Sequence, residues 1–274
     1  MLVTTGSPDA GRERGPVASV ARMYDYYLGG NDHLPVDQAA AEEVIERMPL
    51  IRLMARSNRA FLQRAVRFLV DAGVRQFLDI GSGLPTMGNT HEVAQALAPD
   101  ARVLYVDVEP VAVLHGRRLL EGNDLVGMLQ GDIRQPASIL EQIESPEYAS
   151  VIDLGEPVAL ILTSVLLWVR DDNEAFGAVR AMTRSLPPGS WLVISHGAVG
   201  GVDTEVADAV ADVYQRRSAA VGRRTRDQIM EFFAGFELVE PGLVWLPQWR
   251  PGPDDSSDFE QPNQSGALAG VAFK

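Results

Sequence analysis

The pattern of apolar and polar positions predicts strands that alternate with helices along the middle of the chain. Five short apolar runs have the length of buried strands: 77–80, 102–106, 125–130, 158–163 and 191–195. Segments with helical spacing lie between them: 90–98, 110–121, 136–143 and 173–186. The near-continuous run 158–163 is typical of a central parallel strand that is covered on both faces. We therefore predict an α/β fold with a doubly wound, mainly parallel sheet.

The flanking segments divide the chain further. Residues 1–17 are rich in glycine, proline and charge, so we predict a disordered tail. Helical patterns at 36–48 and 55–72 precede the first strand and belong to a predicted N-terminal helical lid or cap over 18–73. The α/β domain follows over 74–274. Its C-terminal part holds two further helical patterns and three short strand patterns: 203–221, 225–234, 236–239, 243–246 and 267–273.

A glycine turn follows the first predicted strand, in the sequence FLDIGSGLPT (77–86). Gly81 and Gly83 permit a sharp turn and let a ligand approach the backbone closely. The next helix begins just after the turn, so its free N–H groups face the same ligand. A dinucleotide fingerprint would place a third glycine at position 86, where this chain has Thr86. The turn predicts a nucleotide-like ligand, and Thr86 argues against the alternative of a nicotinamide-dependent oxidoreductase.

Acidic residues come at or near the ends of three successive predicted strands. Asp79 lies directly before the turn, in a stretch that resembles the first motif of class I S-adenosylmethionine (SAM) methyltransferases. Asp107 follows the second strand, near the spacing at which a carboxylate accepts ribose hydroxyls, and Asp132 follows the third strand. We expect Asp79 near the ammonium of SAM, Asp107 at the ribose and Asp132 at the adenine amino group.

The segment 21–37, ARMYDYYLGGNDHLPVD, is dense in tyrosine and acidic residues around a glycine pair. One interpretation is an amphipathic helix that ends at the glycines and only packs. The other is a lid that closes over the cofactor or substrate. On the lid interpretation Tyr24, Tyr27 and Gly30 contribute to cofactor binding.

Histidines are the candidate catalytic bases. His196 follows the apolar run 191–195 at the ligand edge of the sheet, and we place it on the substrate side. His33 follows the glycine pair of the lid and is the second candidate. The alternative is that both only pack or cap. His91 and His115 fall within predicted helices and are taken as ordinary helix residues.

Charge and composition narrow the function classes. The net charge of −13 over 274 residues argues against nucleic-acid or anionic-membrane partners. The chain has no cysteine and no metal-binding motif, so we predict no metal site. It begins without a signal-peptide pattern, and its longest apolar run is too short to span a bilayer, so we expect a cytoplasmic protein.

Five arginines between 216 and 226 are predicted to be a solvated helix end; the alternative is a patch for an acidic substrate.

Three blocks carry a resemblance to a known family: RMYDYYLGGNDH (22–33), NRAFLQRAVRFL (58–69) and RQFLDIGSGLPTMGNTHEVAQ (75–95). The chain is similar to the actinobacterial family of predicted S-adenosyl methyltransferases, formerly a domain of unknown function, over about residues 18–250. The resemblance implies a Rossmann-like class I methyltransferase domain over 74–274, with a last strand that runs antiparallel, and SAM as cofactor. It implies little about the methyl acceptor; our hypothesis is methyl transfer to a small molecule, which we place in specialised metabolism. The alternative is a non-catalytic SAM- or nucleoside-binding regulator.

Overall fold

A computed structural model describes residues 17–85, 88–252 and 259–274. The strands are Gln76–Ile80 (β1), Arg102–Asp107 (β2), Val126–Gln130 (β3), Ala159–Thr163 (β4), Trp191–Gly197 (β5), Glu237–Leu238 (β6), Val244–Trp245 (β7) and Ala267–Phe273 (β8). Within the described residues one sheet runs in the order β3-β2-β1-β4-β5-β8-β6, and β7 pairs with β8. Strands β1 to β5 pair in parallel, whereas β8 runs antiparallel to β5. The prediction of a doubly wound, mainly parallel sheet is confirmed, including the antiparallel final strand.

Helices fill the connections, and their ends follow local sequence signals. Asp171 and Thr225 each accept a hydrogen bond from a backbone N–H of the helix that they precede. Pro110 and Pro136 begin helices, as predicted. The helices are Val20–Leu28 (α1), Pro35–Arg47 (α2), Ile51–Asp71 (α3), Thr90–Leu97 (α4), Pro110–Leu119 (α5), Pro136–Ile143 (α6), Asp172–Arg184 (α7), Thr204–Arg217 (α8) and Arg226–Glu231 (α9).

Side chains alternate between the two faces of the sheet. In β1, Leu78 and Ile80 pack into the core that includes α6, α7 and α9, whereas Phe77 packs into the core that includes α3 and α4. In β5, Ile194 belongs to the first core and Val193 to the second. This alternation is the period of two of a strand whose two faces are both covered.

A third apolar cluster joins α1, α2, the first turns of α3 and helix α8. We call these four segments the cap. Asp37 fixes its N-terminal part, because it accepts hydrogen bonds from the backbone N–H of Ser19 and from the side chain of Arg22. Burial alone would raise the pKa of Asp37, but these bonds hold it below its ordinary value. The cap therefore depends on a buried ion pair as well as on apolar packing.

Helix α3 begins one turn earlier than predicted, at Ile51, and runs unbroken to Asp71. Its first turns pack in the cap, and Phe61, Leu62 and Leu69 pack against the sheet. The predicted tail, 1–17, lies outside the described residues except for Val17. Among the helices that the structure describes, none combines the length and the apolar character that a membrane crossing needs.

Candidate active site

A cavity of about 1040 Å³ lies between the carboxyl ends of the strands and the cap. Seven residues that the sequence predicted for the site line it together: Tyr24, Tyr27, Asp79, Gly81, Gly83, Asp107 and Asp132. The remaining three, Gly30, His33 and His196, are not among the lining residues. The strand ends bring the acids to one edge of the sheet, as is usual for ligand sites in doubly wound sheets.

Asp79 is a buried carboxylate with one unsatisfied oxygen. Its Oδ2 accepts a hydrogen bond of 2.7 Å from Thr90 Oγ1, and its Oδ1 has no partner in the described part of the chain. Burial raises the pKa of Asp79 to about 6, although the Thr90 bond and nearby Arg59 act in the opposite direction. A cationic ligand group beside Oδ1 would satisfy both the oxygen and the charge.

The glycine turn orients Asp107. The backbone N–H of Gly83 donates to Asp107 Oδ2 over 2.8 Å, and that of Glu109 donates to Oδ1 over 2.9 Å. Gly81 has φ +73°, and a Cβ there would lie 2.2 Å from Val165 Cγ2, so only glycine fits. Burial raises the pKa of Asp107 to about 6. Each carboxylate oxygen keeps a second lone pair, with which it can accept a ligand hydroxyl.

Asp132 lines the cavity but already has a charged partner. Arg134 Nε lies 2.9 Å from both carboxylate oxygens of Asp132. Burial of Asp132 would raise its pKa, but the bonds from Arg134 hold it below its ordinary value. A ligand donor at Asp132 would therefore share the carboxylate with Arg134.

Helix α1 covers the glycine turn. A Cβ on Gly83 would lie 3.7 Å from the Ala21 side chain, and the backbone N–H of Ala21 donates to Glu109 Oε1 over 3.2 Å. Gly30 lies behind this helix, where a Cβ would approach Asp25 Oδ1 to 2.0 Å. Gly30 thus shapes the loop after α1, while α1 itself closes the cavity.

The two candidate histidines contact other parts of the protein. His33 Nδ1 lies 3.6 Å from Asp25 Oδ2, and its ring packs edge-on against Tyr26. His196 is fully buried: Nε2 lies 2.7 Å from Arg224 Nη1, and Nδ1 lies 2.8 Å from the carbonyl oxygen of Gly197. Burial lowers the pKa of His196 to about 4. Its place at the end of β5 is as predicted, but its side chain belongs to the α7 and α9 face of the sheet.

Arg224 corrects the prediction of a solvated helix end. It is 2% exposed and donates to Asp172 Oδ1 and to the carbonyl oxygens of Leu166 and Val169. It thereby holds the connection between β4 and α7, part of which lines the cavity. Arg216 and Arg217 are exposed, as predicted for a solvated helix end, and they pair with Glu43 of α2.

Sequence reasoning missed a polar chain that connects α1, α3 and the sheet. Tyr24 Oη donates to the carbonyl oxygen of Ala55, and Asn58 Nδ2 donates to Tyr24 Oη. Ser195 Oγ donates to Asn58 Oδ1 over 2.6 Å and lies 3.4 Å from Ser164 Oγ. Ser164 has φ +57°, a conformation that is uncommon for residues other than glycine and often occurs at functional sites.

Two further cavity residues were missed. Arg59 donates to Asn89 Oδ1 over 3.2 Å, while its buried Nε has no partner among the residues described. Tyr214 of α8 lies with its hydroxyl 3.0 Å from that of Tyr27. Asn58 and Arg59 begin the block NRAFLQRAVRFL, which was the available signal for them; Tyr214 lay in an ordinary amphipathic helix pattern without one.

Fold and site together define a class I methyltransferase: a doubly wound sheet with an antiparallel final strand, a glycine turn after β1, and acids after β2 and β3. The chain belongs to the S-adenosyl methyltransferase family, whose model matches residues 13–274. It is a SAM-dependent methyltransferase by family, so the predictions of family, fold and cofactor are confirmed. A comparison with curated proteins gave no match.

Solved structures agree with the family. A DUF574 family protein from Streptomyces avermitilis is 37% identical, with a TM-score of 0.88 over 94% of this chain and 98% of that one. A putative methyltransferase from Thermobifida fusca is 36% identical, with a TM-score of 0.86 over 94% of this chain and 95% of that one. PigF, solved with S-adenosylhomocysteine, shares only the fold, at 14% identity and a TM-score of 0.53 over 92% of this chain and 62% of that one.

The cavity residues fit SAM. The unsatisfied oxygen of Asp79 suits the ammonium, and the buried Nε of Arg59, which has no partner among the described residues, suits the carboxylate. Asp107 has accepting capacity left for a diol. In the part of the chain that the structure describes, no group of histidine and acidic residues has the arrangement of a metal site.

Proposed function

We propose that this protein transfers the methyl group of SAM to a small-molecule acceptor enclosed beneath the cap. The observation that carries the proposal is one continuous cavity, which reaches from the strand-end acids to the inner faces of α1 and α8. Its volume of about 1040 Å³ is at the upper end of the range for one small-molecule ligand, so a second small molecule has room beside the cofactor. Enclosure by a cap favours a small acceptor over a macromolecule.

For the cofactor we assign Asp79 to the ammonium, Arg59 to the carboxylate and Asp107 to the ribose diol. Asp132 is assigned to the adenine amino group, with Arg134 sharing its carboxylate. The turn at Gly81 and Gly83 admits the cofactor to the backbone, and Tyr24 and Tyr27 close the cavity from α1. Gly30 supports this closure through the loop behind α1.

SAM supplies an activated methyl group, so the protein is needed mainly for positioning and for the exclusion of water. Helix α1 supplies the cover, because the Ala21 N–H to Glu109 bond holds its first turn beside the ribose acid. The polar chain from Tyr24 through Asn58 and Ser195 to Ser164 offers hydrogen-bonding groups at the end of β4. Neither His33 nor His196 enters the proposed chemistry, because neither lines the cavity.

We propose specialised metabolism as the setting and a cytoplasmic location. Nucleic acid is left out as an acceptor, because a net charge of −13 opposes binding to a phosphate backbone.

Two measurements test the proposal. Calorimetric titration with SAM, S-adenosylhomocysteine and NAD should show binding of the first two and none of NAD. Transfer of a radiolabelled methyl group should then be followed into the small-molecule, protein and RNA fractions of a cell extract. Label confined to small molecules is the expected result; label confined to protein or RNA would overturn the proposed acceptor class.

A further inference from the structure

The order of the sheet locates the acceptor within the cavity. Ribose at Asp107 and adenine at Asp132 place the adenosine over β2 and β3. Because β1 and β4 lie on the other side of β2, the methionyl end and the methyl group lie towards β4. The acceptor then occupies the cavity beyond β4, beneath α1, the first turns of α3 and α8. We call this part the acceptor pocket. This step rests on the proposed function.

Large apolar side chains line much of the acceptor pocket: Met48, Ile51, Met54, Trp168, Val202 and Val210. They come from the cap and from the connection after β4, and several of them belong to the apolar cluster of the cap. Such a surface gains free energy by taking apolar area out of water. It offers nothing to compensate a buried charge.

The buried polar groups of the acceptor pocket are uncharged. They include the hydroxyls of Tyr27 and Tyr214 and the amide of Asn58. The half-buried hydroxyls of Tyr24 and Ser164 are uncharged as well. Charged side chains that also line the cavity at this end lie towards solvent: Arg170 and Asp212 are exposed.

Arg223 and Asp208 also line the cavity near the cap, but they form an ion pair of 2.8 Å, and the Asp208 side chain is 68% exposed. Arg59 is assigned to the cofactor carboxylate. An acceptor with a full charge would therefore lose its hydration in this pocket without gaining an available partner of opposite charge.

The paired hydroxyls of Tyr27 and Tyr214 leave one O–H group available to donate a hydrogen bond to a ligand. They lie 3.0 Å apart, and both residues are buried. Two hydroxyls carry two protons, and only one of these protons is used between them, whichever tyrosine donates. The other proton is left for a ligand. The Trp168 ring packs edge-on against Tyr214 at 5.2 Å and helps to hold it in place.

We propose that the methyl acceptor is an uncharged, mainly apolar molecule, and that one of its oxygens accepts the spare proton of the Tyr27–Tyr214 pair. The pair is a specificity element: it selects a neutral molecule with a hydrogen-bonding oxygen over an ion of the same shape. Tyr27 belongs to α1 and Tyr214 to α8, so the selection joins the two helices that enclose the acceptor pocket.

The test uses three probes that share a naphthalene ring and differ in the charge of the substituent. Protein saturated with S-adenosylhomocysteine is titrated calorimetrically with 2-naphthol, 2-naphthoate and 2-naphthylmethylammonium. We expect 2-naphthol to bind at least about 10-fold more tightly than either ion, because burial of an uncompensated charge is unfavourable. An ion that binds as tightly as 2-naphthol, or no binding of 2-naphthol, would overturn the proposal.

The double variant Tyr27→Phe/Tyr214→Phe removes both hydroxyls, so neither is left without its partner. It should weaken 2-naphthol binding to the protein saturated with S-adenosylhomocysteine about 3- to 10-fold, as expected for one neutral hydrogen bond. Tyr26→Phe is the control, because Tyr26 lies on the same helix and bonds to Glu42 outside the cavity. Equal affinity in the double variant would overturn the role of the pair. If the unaltered protein does not bind S-adenosylhomocysteine at all, that result contradicts the proposed function instead.

Discussion

The backbone N–H of Gly83 donates a hydrogen bond of 2.8 Å to Oδ2 of Asp107. The first residue belongs to the turn after β1 and the second to the end of β2, so this bond joins the two strand ends of the proposed cofactor site. It fixes the carboxylate before any ligand arrives. A carboxylate that is already oriented loses less conformational freedom when it accepts hydrogen bonds from a diol.

Asp107→Asn tests the ribose assignment. The amide keeps one accepting oxygen but loses the charge and half of the accepting capacity, so we expect SAM affinity to fall about 10- to 100-fold, as for a charge-assisted hydrogen bond. Calorimetric titration measures the affinity, and thermal unfolding checks that the variant folds. Asp124→Asn is the matched control, because Asp124 is exposed and lies away from the cavity. Unchanged affinity in folded Asp107→Asn would refute the assignment.

Asp79→Asn should separate stability from binding. With its pKa raised to about 6 by burial, Asp79 is ionised at pH 7.5 at a cost to the folded protein, and the amide removes that cost. We expect the ligand-free variant to unfold at a higher temperature than the unaltered protein at pH 7.5, while SAM binds more weakly. The advantage should shrink as the pH falls from 6 towards 4, because Asp79 of the folded protein then becomes protonated. A variant that is less stable at pH 7.5 would contradict this account.

SAM binding should weaken in acid. The pKa values of Asp79 and Asp107 are both about 6 in the ligand-free protein, and the assigned contacts need both carboxylates ionised. At pH 5 each group would cost about 10-fold in affinity relative to pH 7.5, and binding would release protons. Titrations in buffers of different ionisation enthalpy measure this release directly. Equal affinity at pH 5 and pH 7.5 would show that neither carboxylate needs to be ionised.

Arg224→Met should destabilise the fold strongly. The change removes the guanidinium donor from the carbonyl oxygens of Leu166 and Val169 and from the ring of buried His196. Of the two oxygens, that of Leu166 still accepts from the backbone N–H of Val169. We expect a loss of about 3 kcal/mol or more in the free energy of unfolding, as for other buried networks that lose one partner. Denaturant unfolding measures it, with Arg118→Met on the exposed face of α5 as the control. Equal stability of the two variants would show that the network contributes little.

Ser164→Gly and Ser164→Ala separate backbone strain from the hydroxyl contact. Both variants lose the approach to Ser195 Oγ, but only glycine adopts φ +57° without strain. The glycine variant should therefore be more stable than the alanine variant by about 1 kcal/mol. Denaturant midpoints compare the two, and the reverse order would argue against strain at this position.

The sheet and its ligand edge were predictable from the sequence because each depends on local patterns. Buried strands appear as apolar runs, and Asp107 follows Gly83 near the spacing at which a carboxylate accepts ribose hydroxyls. The seven predicted residues of the cavity come from these patterns and from the tyrosine-rich segment of α1.

The tertiary partners were not predictable in the same way. His196 was placed at the ligand edge, but position along a strand does not say which face the side chain takes, and its neighbour Ser195 is the residue that reaches Asn58. Arg224 resembled a solvated arginine because the carbonyl groups that bury it lie more than 50 residues away along the chain. The pairing of Tyr27 with Tyr214 spans 187 positions and has no local signal.

Helix α3 is a continuous helix of 21 residues without glycine or proline, so it spans about 30 Å as one rigid element. Its N-terminal half carries Asn58 and Arg59 at the cavity, and its C-terminal half packs against the sheet. We therefore expect substrate to enter and product to leave by displacement of α1, α2 or α8, while α3 stays fixed. Accordingly, we expect differences in acceptor preference between relatives to lie in α1, α2 and α8, and α8 to vary most freely because α1 also covers the glycine turn.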